Sequence, residues 1–197
     1  MAEQGARRRR GVVGIVGAVW LAFAPAAQAQ VSVAGRGGPL LLDAGTQSTA
    51  LSLDGGVLRG PGVELRRQGA AWVGQVRGRA VDVGWEGGRL LGRVGDSPVS
   101  LEVLKRTPEP GLRLEGNFAG QPSSLIVAPF GIEGAVGGCD YTLSVTGGRY
   151  SGWRTCQPGT HLQPGAVSLS LPEDVLALEP GGLAALLSLV LSVEMQP

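Results

Sequence analysis

The chain has 197 residues with 34 glycines, 5% aromatic and 17% charged residues, and a formal net charge of +1. Residues 30–197 contain 13 basic and 15 acidic side chains, so they carry a formal charge of −2 without the first 29 residues. A nearly neutral chain with scattered arginines lacks the basic patch of proteins that bind nucleic acids or anionic membrane surfaces.

Residues 1–29 have the pattern of a signal peptide. Four arginines, residues 7–10, precede an apolar run that ends in Ala27-Gln28-Ala29, a small-residue cleavage motif. The run is too short and too rich in Gly and Pro for a membrane span, and no other stretch reaches the roughly 18 apolar residues that a span needs. We therefore expect cleavage before Gln30 and export to the periplasm or the extracellular space. The arginines suit either the general or the twin-arginine export route.

Glycine recurs with an 18-residue period from Gly56 to Gly152. We predict that residues 30–171, which contain this repeat, form one domain. The recurring positions are Gly56, Gly74, Gly92, Gly116, Gly134 and Gly152, and the one longer step contains six extra residues at 105–110. Apolar residues alternate with polar ones on both sides of each glycine, as in strands with one buried face. Two strands of about seven residues and two turns of two residues account for the period.

Glycines also fall where such strands would turn. Gly87-Gly88 and Gly147-Gly148 suit two-residue turns that need positive φ. At the opposite rim, the first turn position is expected at Gly60, Gly78, Gly120 or Gly138. Repeat four is expected to use a proline-containing turn, residues 128–131, instead. The pattern predicts an all-β, up-and-down antiparallel meander of about 11 to 13 strands, forming a barrel or a strongly curved sheet.

The second face of the predicted strands is polar. Its charges, and strands of only about seven residues, argue against an outer-membrane barrel, whose strands need roughly nine to eleven. Trp153 falls on this wet face, where it is either a surface contact residue or part of cross-strand packing.

The two cysteines, Cys139 and Cys156, lie symmetrically about Gly147-Gly148. They therefore face each other across the predicted hairpin at a non-hydrogen-bonded position, where a disulfide can form. A zinc site would need further ligands, and His161 is the only histidine. The sequence predicts a structural disulfide and no metal or other cofactor.

Residues 172–197 are predicted to form a helical segment packed on the same domain. A helix start at Pro172-Glu173-Asp174 is followed, after Pro180 and two glycines, by an apolar helix at 183–193 without a polar face. Such a helix is expected to plug or cover its own sheet. The alternative is a docking segment for a partner or for lipid.

No catalytic constellation is recognisable, and we do not expect an enzyme. The regular repeat favours an exported structural or interaction protein of the envelope or extracellular space. The alternative is a carrier that holds a lipid or another apolar ligand inside the curved sheet, because a meander with a helical cover resembles the general plan of exported carriers of apolar ligands.

Overall fold

The computed structural model describes residues 39–105, 110–157 and 163–192. The predicted signal peptide, His161 and the end of the chain from Val193 lie outside these residues. The strands are β1 (Leu40–Ala44), β2 (Gln47–Asp54), β3 (Val57–Gly60), β4 (Val63–Gln68), β5 (Ala71–Val76), β6 (Arg79–Glu86), β7 (Arg89–Val94), β8 (Ser97–Lys105), β9 (Leu112–Phe118), β10 (Gln121–Ala128), β11 (Gly131–Val136), β12 (Cys139–Thr146), β13 (Arg149–Cys156) and β14 (Gln163–Ser170). Two helices follow, α1 (Glu173–Leu176) and α2 (Pro180–Leu191).

The strands form a closed antiparallel barrel in which each strand pairs with the next and β14 returns to β1. This topology confirms the predicted all-β meander with a short C-terminal helix. Of the two predicted forms, the structure is the barrel and not the open curved sheet. The described strands number 14, above the expected range of 11 to 13, because β1, most of β2, and β14 lie outside the 18-residue repeat.

The turns lie at two rims, which we call the disulfide end and the open end. Gly87-Gly88 and Gly147-Gly148 form turns at the open end, and all four have positive φ between +57° and +83°. At the disulfide end the predicted phase is wrong by one residue for Gly78, Gly120 and Gly138, which take the second turn position, whereas Gly60 ends β3.

The non-glycine residues Arg77 (φ 48°) and Ala119 (φ 51°) explain that error, since they occupy the first turn position. The prediction that Gly56 lies at the centre of a strand is also wrong. Gly56 lies in the turn between β2 and β3.

The strand-centre glycines bring neighbouring backbones close together. A Cβ atom added to Gly92, whose φ is +146°, would stand 2.0 Å from the carbonyl oxygen of Asp82 on β6. Gly74, Gly116 and Gly134 have the same kind of conformation and approach. The repeat glycine is therefore required by the strong coiling of the strands.

The register determines the width of the barrel. When the register is followed from strand to strand once around the barrel, it returns to β1 at a position about 14 residues from the starting residue. For 14 strands, this displacement corresponds to a strand tilt of about 35° and a backbone radius of roughly 13 Å. Side chains alone fill a barrel of about eight strands, so this wider barrel needs an additional filling.

Helix α2 provides that filling. Nearly all of its residues are buried, including Ala184, Leu187 and Leu191, and it packs mainly against β5–β9. Its C-terminal end is fixed by the Tyr141 hydroxyl, which donates a hydrogen bond to the Leu191 carbonyl oxygen, while burial raises the pKa of Tyr141. The helix begins at Pro180, three residues before the predicted start, because proline is well suited to the first helical position.

Cys139 and Cys156 pair in the β12–β13 register and form the predicted disulfide, with Cα atoms 4.0 Å apart.

In the part of the chain that the structure describes, no helix has both the length and the apolar character needed to cross a membrane.

Candidate functional site

An apolar cavity of about 360 Å³, which we call the mouth cavity, lies at the open end of the barrel. Its lining residues come from the ends of strands, from turns and from the C-terminal segment: Gly111, Leu112, Val127, Pro129, Val145, Gly148, Tyr150, Leu171, Leu176 and Leu183. Strands β9, β10, β12 and β13 contribute to its wall, and Leu176 of α1 and Leu183 of α2 complete the lining.

The position of α2 explains why the cavity forms here. Layers in proteins pack about 10 Å apart, which is less than the roughly 13 Å barrel radius, so a helix packed against one side leaves space on the other. Helix α2 packs mainly against β5–β9, whereas most of the cavity wall comes from β9, β10, β12 and β13, which follow those strands around the barrel. Towards the disulfide end, the buried Phe118 and Tyr141 are part of the core.

None of the lining side chains carries a charge. Tyr150 has the only polar side chain among them, and its hydroxyl donates a hydrogen bond of 3.0 Å to the carbonyl oxygen of Ala128. Burial raises the pKa of Tyr150, so this hydroxyl stays protonated at neutral pH. The lining thus presents a hydrocarbon surface without a free side-chain hydrogen-bonding group.

Exposed apolar side chains surround the opening. Val145 and Leu176, which line the cavity, are 40% and 51% exposed, and Phe130 in the neighbouring turn is 60% exposed. Large apolar side chains grouped around a concave opening are typical of binding sites.

A cation lies beside this group in the strand register. Lys105 pairs with Leu112 between β8 and β9, and it continues the inward-facing row of Leu101 and Val103 to the rim, where it is exposed. A ligand that enters the cavity from solvent would therefore pass close to a positive charge.

Of the residues predicted from the sequence, only Gly148 lines the mouth cavity. Gly87 and Gly88 form a different turn of the open end, Gly147 precedes Gly148, and Cys139 and Cys156 lie at the opposite end. Trp153 lies on the outside of β13, 67% exposed, opposite Thr142 and Ala166. These residues do not form one site.

The cavity was missed because its lining combines repeat positions such as Gly148 with residues of the C-terminal segment, Leu171, Leu176 and Leu183, which lie outside the repeat. Two departures from the repeat did mark its position: the insertion at 105–110, which ends beside Gly111, and the Pro129-Phe130 turn. Both lie at the open end. Irregularity within a regular repeat was the signal that could have identified this end.

No group of three or more His, Cys, Asp or Glu residues with metal-binding geometry occurs within 39–105, 110–157 and 163–192. Comparisons with protein-family models, with curated proteins and with solved structures found no significant match. The function of this chain is therefore inferred from its own geometry.

Proposed function

We propose that the protein is an exported, non-enzymatic structural or interaction protein of the envelope or extracellular space, and that it acts through its surface. The observation that supports this proposal is helix α2, which has ten of its twelve residues buried and packs against the sheet from within the barrel. A carrier that held its ligand at the centre of the sheet would need this space. The disulfide fits an oxidising compartment, in agreement with the expected signal peptide.

Native mass spectrometry and solvent extraction test this proposal on protein purified from its own source without detergent. We expect the mass of one chain with one disulfide and no bound molecule. A stoichiometric lipid or other apolar molecule that survives purification would contradict the proposal and favour the carrier.

Contact through the outer face can be tested with a photo-crosslinking residue in place of Trp153, which is 67% exposed. The same residue in place of Leu91, 38% exposed on β7, is the matched control. A crosslinked partner specific to position 153 would support an interaction surface there, whereas equal products at both positions would contradict it.

The second candidate function is binding of an apolar ligand. The mouth cavity favours it, because the cavity has a size typical of small-molecule sites and an uncharged lining. In this proposal the ligand binds at the open end, and not in the centre of the barrel as the sequence suggested.

A further inference from the structure

The mouth cavity has the shape and the chemistry of a site for a hydrocarbon chain. We infer that it binds the alkyl chain of a single-chain anionic amphiphile of the fatty-acid type, reversibly and with the head group at the rim. This inference rests on the second candidate function above and names its ligand. It does not require a ligand that stays bound through purification.

The size of the cavity limits the ligand to one chain. A methylene group occupies about the volume of a water molecule, roughly 30 Å³. The cavity volume of about 360 Å³ therefore holds on the order of ten chain carbons. The glycolipids and diacyl lipids of membranes have at least two long chains, and the cavity is too small for them. A single chain of medium length fills it.

The lining selects for hydrocarbon. The side chains of Leu112, Val127 and Leu183 offer only apolar contacts, and the Tyr150 hydroxyl is already bonded to Ala128. A polar or branched, hydroxyl-rich ligand would lose its hydrogen bonds to water in this cavity without replacement, at a substantial cost. An alkyl chain loses none and removes apolar surface from water.

The rim favours an anionic head group. The exposed Lys105 is the register partner of Leu112, which lines the cavity, so a positive charge stands on the strand next to the opening. The carboxylates of α1 do not line the cavity, and Asp174 Oδ1 accepts a hydrogen bond from the Val175 amide. An exposed pair of opposite charges contributes modestly to affinity, so the chain supplies most of the binding.

The test is isothermal titration calorimetry of the full mature protein with hexanoate, octanoate, decanoate, dodecanoate and tetradecanoate, each below its critical micelle concentration. Each methylene that enters the cavity should tighten Kd by about fourfold. The gain should stop at on the order of ten carbons, when the cavity is full. Binding that strengthens without a plateau would indicate non-specific adsorption and would overturn the inference, as would no binding of any member.

Two variants connect the binding to the cavity. Val145→Trp places a larger side chain at an exposed lining position, and it should weaken dodecanoate binding at least tenfold. Leu91→Trp, at an exposed strand position outside the cavity, is the control and should bind as wild type. Circular dichroism and thermal melting check that both variants are folded. Equal Kd values for wild type and both variants would contradict the site.

The head group is tested with dodecanol, dodecanoate and lauroyl lysophosphatidic acid, which share the chain. Both anions should bind more tightly than the alcohol, and Lys105→Gln should remove that advantage without abolishing binding. Preference for the lysophospholipid over the fatty acid would make the source a lipid head group, and the reverse order a free fatty acid. Tighter binding of the alcohol would overturn the anionic assignment.

The two proposals fail in different experiments. A lipid that co-purifies stoichiometrically contradicts the surface role but not the chain site. Empty preparations that also fail to bind the fatty-acid series contradict the chain site and leave the surface role standing.

Discussion

At the scale of single residues, the glycines of the turns and those of the strands have two different roles. In the turns, Gly87 and Gly147 supply positive φ where an added Cβ atom would meet open space. In the strands, Gly92 supplies both an unusual φ and room for the neighbouring backbone. Substitution should therefore be far more costly in the strand, because a backbone atom cannot move aside as a flexible side chain can.

The substitution Gly92→Ala tests this distinction. The added methyl group would lie 2.0 Å from the Asp82 carbonyl oxygen, so we expect a loss of at least about 3 kcal/mol in the free energy of unfolding. Gly84→Ala on the adjacent strand is the control, since its Cβ atom would meet only Ala71 Cβ at an ordinary 3.6 Å. Urea denaturation measures both, and equal stabilities would show that the barrel does not coil as tightly as described.

At the scale of elements, the β12–β13 hairpin is closed at its far end by the disulfide. The bond joins residues separated by 17 positions, and in the chain-entropy model it should stabilise the fold by about 3 kcal/mol. We expect the double variant Cys139→Ser, Cys156→Ser to lose this amount in urea denaturation. Ser144→Ala with Ser151→Ala, a pair on the outside of the same hairpin, should change stability little. A double cysteine variant as stable as wild type would contradict the structural role.

Helix α2 contains a buried polar group that weakens it. Ser188 is fully buried, and its hydroxyl has no hydrogen-bond partner among the described residues. Ser188→Ala should therefore stabilise the protein by about 1 kcal/mol in thermal or urea unfolding.

Ser192 is the matched control for that substitution. It is equally buried, but its hydroxyl donates a hydrogen bond of 2.8 Å to the Leu189 carbonyl oxygen. Ser192→Ala should destabilise by about 1 kcal/mol. If both substitutions changed stability in the same direction, hydrogen bonding would not be the cause.

The elements also show what a sequence of this kind can predict. Strands, open-end turns and the disulfide follow from local rules: period two, glycine at positive φ, and symmetry about a turn. The phase at the disulfide end was wrong because Arg77 and Ala119 adopt positive φ, which no local rule anticipates. The mouth cavity was not predictable because it results from the off-centre packing of α2, a non-local property.

At the scale of the whole molecule, a polar network fastens the seam where β1 meets β14. Asp43 on β1 accepts hydrogen bonds from Ser48 at 2.6 Å and from Ser168 on β14 at 3.2 Å, and it forms an ion pair with Arg149 on β13. The Ser48 hydrogen bond is the largest cause of the lowered pKa of Asp43, and Arg149 and Ser168 act in the same direction against desolvation. The network connects four strands, the first two of the barrel (β1 and β2) and the last two (β13 and β14).

This network predicts a pH dependence of stability. A carboxyl group whose pKa is lowered by folding stabilises the fold above its unfolded pKa of about 3.9, and the contribution is lost as the pH falls through the folded pKa. Asp43→Asn should therefore be less stable than wild type at about pH 7, and the difference should shrink at about pH 2. Asp140→Asn, an exposed aspartate on β12, is the control, and a difference for Asp43→Asn that persists in acid would contradict the role of its charge.

The pairing of β1 with β14 also determines the order in which the molecule can be assembled. The wall cannot close until Ser170 has been synthesised to meet Leu41, and the helix that fills the interior follows still later in the chain. Helix α2 is thus made after the strands that surround it. Because β1 and β14 are far apart in the sequence, we expect their pairing to be a late and slow step in folding.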